Sequence, residues 1–368
     1  MLATLSTLST LTAVTAVTAA ALATPVAGLL GYRQLKRTRL AAQLRISTPN
    51  GIDESGFVRI NGIDTWVSVR GEDLSNPVIL EIHGGPGASN LIHLPRTRSW
   101  ERHFTIVRWD MRGAGFTFAN APEGQGELTL DQLQRDALEV TRHVRERLGV
   151  DRLVLVANSF GSVLGLRLAR SHPELYSAYV GTDQNVIAGG RERTAYDALV
   201  RRLRAAGKGK RKQLATVLAA GARPDGPTLE QTDELNKLIL TTDPLSYDTM
   251  KTVVVRSLWF SPLHTLRGLR SSMKAMHFSL GLQLQARSVD EWAEGTEFRI
   301  PFFVFQGDGD VLTPPESARR FFDDVSAPVK EFALIRDASH FASFRHPEQF
   351  LDLMLALVRP AIASPVVC

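Results

Sequence analysis

At 368 residues the chain can bury a large core, as one large domain or two smaller ones. Its hydrophobic content of 44% and charged content of 22% are ordinary for a globular protein, and the net charge of +5 is spread along the chain, which leaves no electrostatic footprint for a nucleic-acid partner. The single cysteine, Cys368, excludes an intrachain disulfide and a cysteine-based zinc site.

The first element in chain order is residues 1–32, a charge-free stretch rich in Leu, Ala, Val and Thr that ends in Arg33, Lys36, Arg37 and Arg39. A charge-free run longer than the ~20 residues needed to cross a bilayer predicts a single-pass membrane anchor. The basic flank then predicts that the rest of the chain stays on the cytoplasmic side. The alternative is a signal peptide cut near Ala21-Leu22-Ala23 and a secreted product, although no positive charge precedes the apolar run. Residues 33–56 are polar, contain Pro49-Asn50-Gly51, and read as a linker.

From residue 57 the pattern changes. Phe57–Ile60 and Thr65–Val69, joined by Asn61-Gly62, predict a β-hairpin. Val78–Ile82 and Phe104–Trp109 predict strands. A helix follows, started by Thr129 with Gln132 and closed by Gly149, with apolar residues at helical spacing from Leu130 to Leu148. Leu153–Val156 predicts a strand that runs into a turn at Ser159 and a helix over about 161–170, and Tyr176–Val180 predicts another strand. Strands alternating with helices predict a mostly parallel central sheet with helices on both faces, hence an α/β fold. The alternation breaks over 184–298, which reads as an inserted helical cap between the two parts of the core, 57–183 and 299–368. It resumes with the strands Phe302–Phe305 and Lys330–Ile335 and helices near Pro315–Phe322 and Pro347–Leu357. A run of Arg and Lys over 201–212 marks a basic face of the cap; its ordinary reading is a solvated surface, and its other reading is contact with anionic headgroups.

The chemistry-bearing residues lie at the ends of these strands. Ala157-Asn158-Ser159-Phe160-Gly161 departs by one residue from Gly-x-Ser-x-Gly, the sharp strand-to-helix turn that exposes a nucleophilic serine. A neutral hydroxyl needs a base within hydrogen-bond reach, and that base needs a carboxylate to hold its tautomer. His340, in a short loop after a strand, is the candidate base; His346 is its rival, and His83 reads as structural. Asp310 is the candidate acid, with Asp308 as the competing residue and turn former. The Asp308-Gly309-Asp310 run lacks the remaining ligand positions of a calcium loop, so no metal is expected. His83-Gly84-Gly85-Pro86-Gly87 follows a strand with glycines that allow close backbone approach, so the N–H groups of Gly85 and Phe160 are the candidate oxyanion-hole donors.

With the order Ser…Asp…His, the His83–Gly87 loop and Asp110-Met111-Arg112-Gly113-Ala114-Gly115, the chain resembles the proline iminopeptidase group of α/β-hydrolases over roughly 50–185 and 297–350. The resemblance implies an α/β-hydrolase fold and a serine hydrolase that removes an N-terminal residue from small peptides, with no cofactor. It further implies acidic cap residues that bind the substrate's free amino group, for which Glu192 is best placed, with Glu230, Asp233 and Glu234 further on. Asp110 and Arg112 would brace the oxyanion loop. The group often has Gly-Gly before its serine and Trp after it, where this chain has Ala157, Asn158 and Phe160. An esterase or other acyl hydrolase acting on small molecules is the alternative activity. A non-catalytic binding module on the same fold is the third reading, and it has no use for a complete triad.

Overall fold

The computed structural model describes residues 27–188, 193–221 and 227–363. Among them, eight strands form one sheet: β1 (Ile52–Ile60), β2 (Ile63–Gly71), β3 (Val78–Ile82), β4 (Thr105–Trp109), β5 (Leu153–Asn158), β6 (Tyr176–Thr182), β7 (Phe302–Gly307) and β8 (Lys330–Ile335), in the order β1-β2-β4-β3-β5-β6-β7-β8. The predicted hairpin is β1–β2, turned by Asn61 and Gly62, both at positive φ. β2 pairs antiparallel with β4, and every pairing from β4 to β8 is parallel, so the predicted mostly parallel α/β sheet is found. β3, β4, β5 and β7 are buried at every position, which is why they read as continuous apolar runs instead of alternating ones. The charged exceptions are Glu81 on β3 and Arg108 on β4. They are register partners and pair at 2.6 Å inside the sheet.

The helices run in chain order around this sheet. Residues 27–43 form α1. Then come α2 (Gly115–Asn120), α3 (Leu130–Leu148) and α4 (Phe160–Ser171). Thr129 caps α3 by accepting the N–H of Gln132, and Gly149 closes it at φ +65°, as the sequence predicts. Between β6 and β7 the described chain is helical: α5 (Thr194–Ala205), α6 (Arg211–Gly221), α7 (Leu229–Thr242), α8 (Pro244–Thr249), α9 (Arg256–Phe260), α10 (Leu266–Phe278) and α11 (Gly281–Arg287). Leu199, Val200, Leu203, Val217 and Ile239 give this insertion a small core of its own. The basic residues of 201–212 lie on its outer side, mostly exposed. The chain returns through α12 (Pro315–Asp324), α13 (Ala342–Arg345) and α14 (Pro347–Leu353).

The N-terminal expectation is corrected. Among the described residues no helix is long and apolar enough to cross a membrane. Arg33 is buried: its Nε donates to the carbonyl of Trp259 at 2.9 Å and its Nη2 to that of His264 at 2.7 Å. Arg37 donates to the carbonyls of Ser261 and Pro262 at 3.0 and 2.9 Å. The basic flank therefore docks α1 on the turn between α9 and α10 and does not mark the edge of a bilayer. The single-pass anchor, the membrane contact through it and the cytoplasmic placement derived from it fall together. Residues 33–56, expected as a linker, continue α1 to residue 43 and enter β1 at Ile52. Residues 1–26, with the candidate cleavage site Ala21–Ala23, and Cys368 lie outside the described residues.

Candidate active site

β5 ends at Asn158 and α4 begins at Phe160, so Ser159 alone makes the turn, at φ +54° and ψ −126°. A non-glycine residue in this region is strained and persists only where its surroundings hold it there. Here the Ser159 N–H donates to the carbonyl of Thr182 on β6 at 3.1 Å. Asn158 is anchored from below: Asn90 Nδ2 donates to its Oδ1 at 2.9 Å and also bonds Glu81, the partner of Arg108. Gly161 must be glycine because a Cβ there would lie 2.5 Å from the carbonyl oxygens of both Ile82 and His83.

The structure brings Ser159, His340 and Asp310 together. His340 Nε2 lies 2.9 Å from Ser159 Oγ, and His340 Nδ1 lies 2.9 Å from Asp310 Oδ2. Asp310 is fixed by the N–H groups of Leu312 and Thr313, both donating to Oδ1 at 2.9 Å, and by Thr313 Oγ1, donating to Oδ2 at 2.7 Å. Of the rivals, Asp308 accepts the N–H groups of Asp337 and Ala338 and so shapes the loop that carries His340. His346 is bonded to the Asp337 carbonyl and stays outside the cluster.

A residue that the sequence reading missed completes the group. Asp183 follows β6 at φ +49° and is fully buried. A carboxylate oxygen of Asp183, one of Asp310 and a ring nitrogen of His340 all lie within 4.8 Å of one another. Asp183 Oδ1 accepts the N–H of Ala342 at 3.1 Å, whereas its Oδ2 is buried with no hydrogen-bond partner. Burial raises the Asp183 pKa to about 6, opposed by His340 and reinforced by Asp310. Burial by itself lowers that of His340, but the carboxylates of Asp310 and Asp183 outweigh it and raise the ring to about 9. These three side chains are also the donors a metal ion would need. The two ring nitrogens, however, are engaged by Asp310 and Ser159, and the arrangement reads as a hydrogen-bonded relay.

Gly85 and Phe160 border the same cavity as Ser159, a space of about 300 Å³. Gly85 sits at φ +127°, open to glycine and hardly to other residues. Phe160 opens α4, so its N–H has no acceptor within the helix and is available to an anion. His83 braces the loop as expected, whereas the hydrogen bonds of Arg112 go to Asn61, Gln125 and Asp136 and not to residues 83–87. His83 Nε2 accepts the N–H of Met111 at 3.0 Å while Nδ1 donates to the Gly84 carbonyl at 2.8 Å, and burial lowers its pKa to about 4, so it is a neutral strut. Arg112 is clamped by Asp136 at 2.8 and 3.1 Å, and Asp110 Oδ2 accepts the Phe116 N–H at 2.6 Å.

A hydroxyl, an imidazole and a carboxylate in series, next to free backbone donors at a cavity, can carry out nucleophilic acyl transfer. A family model described as the alpha/beta hydrolase fold matches residues 77–347. The chain belongs to the α/β-hydrolase family. The probable aminopeptidase YbaC of Bacillus subtilis is 23% identical over 306 residues, covering 80% of this chain and 93% of that protein. A probable proline iminopeptidase of Streptomyces coelicolor is 33% identical over 101 residues, 27% of this chain and 31% of the relative. Among solved structures, a proline iminopeptidase-related protein of Thermus thermophilus aligns with a TM-score of 0.53 at 22% identity, over 84% of this chain and 99% of that one, a likeness of fold. The expected resemblance to the proline iminopeptidase-related group is borne out, and this α/β-hydrolase is an enzyme of the hydrolase class.

The acidic residues expected at the substrate's amino group are not brought to the cavity as far as they are described. Glu192 lies outside the described residues. Glu230 and Glu234 are exposed on α7, and Asp233 pairs with Lys237. The charged residue that lines the cavity among the described residues is instead Arg287, at the end of α11.

Proposed function

We propose that this α/β-hydrolase is a serine hydrolase that works through an acyl-enzyme on Ser159, of the aminopeptidase or amidase type, and that the insertion between β6 and β7 is the cap that selects the substrate. The observation that carries the reading is the relay of two 2.9 Å contacts, Ser159 Oγ to His340 Nε2 and His340 Nδ1 to Asp310 Oδ2. In the proposed reaction Ser159 Oγ attacks the carbonyl carbon while its proton passes to His340 Nε2. The N–H groups of Gly85 and Phe160 hold the oxyanion. The carbonyl-to-nitrogen bond then breaks as His340 returns the proton to the leaving amine, and a water, deprotonated by the same ring, releases the acyl group. Asp310 holds the tautomer and stabilises the imidazolium.

The names of the relatives support a free N-terminal residue of a small peptide as the acyl part. A second reading, hydrolysis of esters or other acyl groups of small molecules, is favoured by the cavity, whose described wall is largely apolar and carries Arg287 as its one charged residue. A fluorophosphonate probe followed by a panel of aminoacyl arylamides and short-chain aryl esters tests both. Labelling at Ser159 with turnover of the arylamides supports the first reading, turnover of the esters alone supports the second, and an unlabelled folded protein overturns the serine-hydrolase reading.

A further inference from the structure

We infer that the acyl group accepted by this site carries a carboxylate, held by Arg287 on the wall of the cavity that opens on Ser159; this rests on the serine-hydrolase reading above. The cavity joins two kinds of surface. Ser159, Gly85 and Phe160 supply the reacting end, and Val186, Leu199, Leu235 and Ile239 supply an apolar wall. Arg287 lines the same space as its one charged group among the described residues.

The hydrogen bonding of Arg287 shows what it lacks. Both hydrogens of Nη1 are used, toward the carbonyl of Pro227 at 2.9 Å and Thr232 Oγ1 at 3.0 Å. These two contacts fix the guanidinium plane. The opposite edge, Nε with Nη2, has no hydrogen-bond partner and no carboxylate among the described residues. That edge is the fork that takes a carboxylate through two parallel N–H···O bonds. Burial lowers the Arg287 pKa, with no neighbouring charge among the described residues to offset it. A half-buried, oriented cation with no counter-ion among the described residues is costly unless an anion offsets the cost, and an anionic substrate group does so. The apolar residues that share the cavity wall with Arg287 suit the short methylene chain that would connect such a carboxylate to the scissile carbonyl. An acyl group of this class is the residue of a dicarboxylic acid monoester or an N-terminal acidic amino acid, so the inference holds for either leaving group.

The test uses the full chain and two matched probes. One is the mono-nitrophenyl ester of adipic acid. The other is its neutral isostere, in which an isopropyl group replaces the free carboxylate. The wild type is expected to favour the carboxylate ester in kcat/KM by on the order of tenfold or more. In Arg287→Gln that ratio should fall toward one, mostly through KM, in Arg287→Lys part of it should return, and in Arg287→Glu it should invert. Free adipate should also slow fluorophosphonate labelling of wild-type Ser159, a readout that needs no variant to fold. A wild type that turns over the neutral isostere as fast or faster, or an Arg287→Gln variant that slows both esters in equal proportion, overturns the inference. The parallel Ser159→Ala variant separates the two failures: turnover that survives it removes the serine-hydrolase reading, and turnover that is abolished while the ratio ignores Arg287 removes this inference alone.

Discussion

A carboxylate oxygen of Asp183 lies within 4.8 Å of a ring nitrogen of His340, although Asp183 leaves the end of β6 and His340 follows β8. In the proposed mechanism the ring must be neutral to accept the Ser159 proton, and the two neighbouring carboxylates, Asp310 and Asp183, raise its pKa to about 9 against the pull of burial. Asp308, Asp337, Arg345 and His93 stand on the surrounding segments, but the charges that act on the ring are those of Asp310 and Asp183. Activity should therefore climb as pH rises toward about 9. Asp183→Asn removes one of the two charges, so the acid limb of kcat/KM should move to lower pH by on the order of one unit. A profile for Asp183→Asn that overlays the wild type would reduce Asp183 to a loop anchor.

Ser159→Ala leaves the cavity and the proposed donors of Gly85 and Phe160 in place and removes the proposed nucleophile. Its kcat should drop by about 10⁴ or more, the remainder reflecting binding and oxyanion stabilisation alone. Progress curves on the best aryl ester of the panel, with background hydrolysis subtracted, measure it. A loss of only a few-fold would mean that the hydroxyl is not the attacking atom.

Gly161→Ala tests how the elbow is built. The added Cβ would meet the carbonyl oxygens of Ile82 and His83 at 2.5 Å, both of them backbone atoms that cannot swing aside. The expected cost is about 1–3 kcal/mol of stability, read as a lower Tm, together with a loss of activity because the displaced backbone belongs to β3 and the proposed oxyanion loop. An unchanged Tm would show that α4 can back away from β3.

Much of this arrangement was legible in the sequence, and the parts that were not share a physical cause. The buried parallel strands are apolar runs, Thr129 and Gly149 bound α3, and the elbow and its partners sit at strand ends. All of these are local signals. Asp183 has no motif around it. It matters because β6 lies between β5 and β7 in the sheet, a neighbourhood only the topology creates. The charge-free N-terminal run with its basic flank imitates an anchor, and the acceptors of Arg33 and Arg37 lie more than 220 residues further on. Arg287 was one of many basic residues until α11 brought it to the cavity wall.

The docking of α1 makes its own prediction. Arg33 is buried, makes two hydrogen bonds to main-chain carbonyls and stacks its guanidinium 5.1 Å from the Trp259 ring. Arg33→Met keeps most of the stem and strands the carbonyls of Trp259 and His264, which should cost about 1–3 kcal/mol. Chemical denaturation measures this, and hydrogen exchange should show faster opening over 27–43 and 259–264. If both are unchanged, α1 does not hold the insertion.

His93 links a buried ring to acid stability. It is stacked on Phe344 at a centroid distance of 4.1 Å and an interplanar angle of 16°, and its Nδ1 is buried without a partner. Burial, with Arg96 and Arg108 nearby, lowers its pKa to about 3 from an ordinary value of 6.5. Between those two values the unfolded chain takes up a proton that the folded chain refuses, so His93 costs stability as pH falls, at up to about 1.4 kcal/mol per pH unit. His83 and His264, both lowered to about 4, act in the same direction, whereas Asp110, Asp183 and Glu291, all raised by burial, act in the opposite one. The wild-type slope is the sum of these contributions, and only the difference between variants isolates one of them. His93→Phe keeps the ring and the stacking and removes the proton site, so its Tm should fall less than the wild type's as the buffer is taken from pH 6.5 toward the pKa of the buried ring. Parallel Tm curves for the two proteins would mean that His93 exchanges its proton equally in both states.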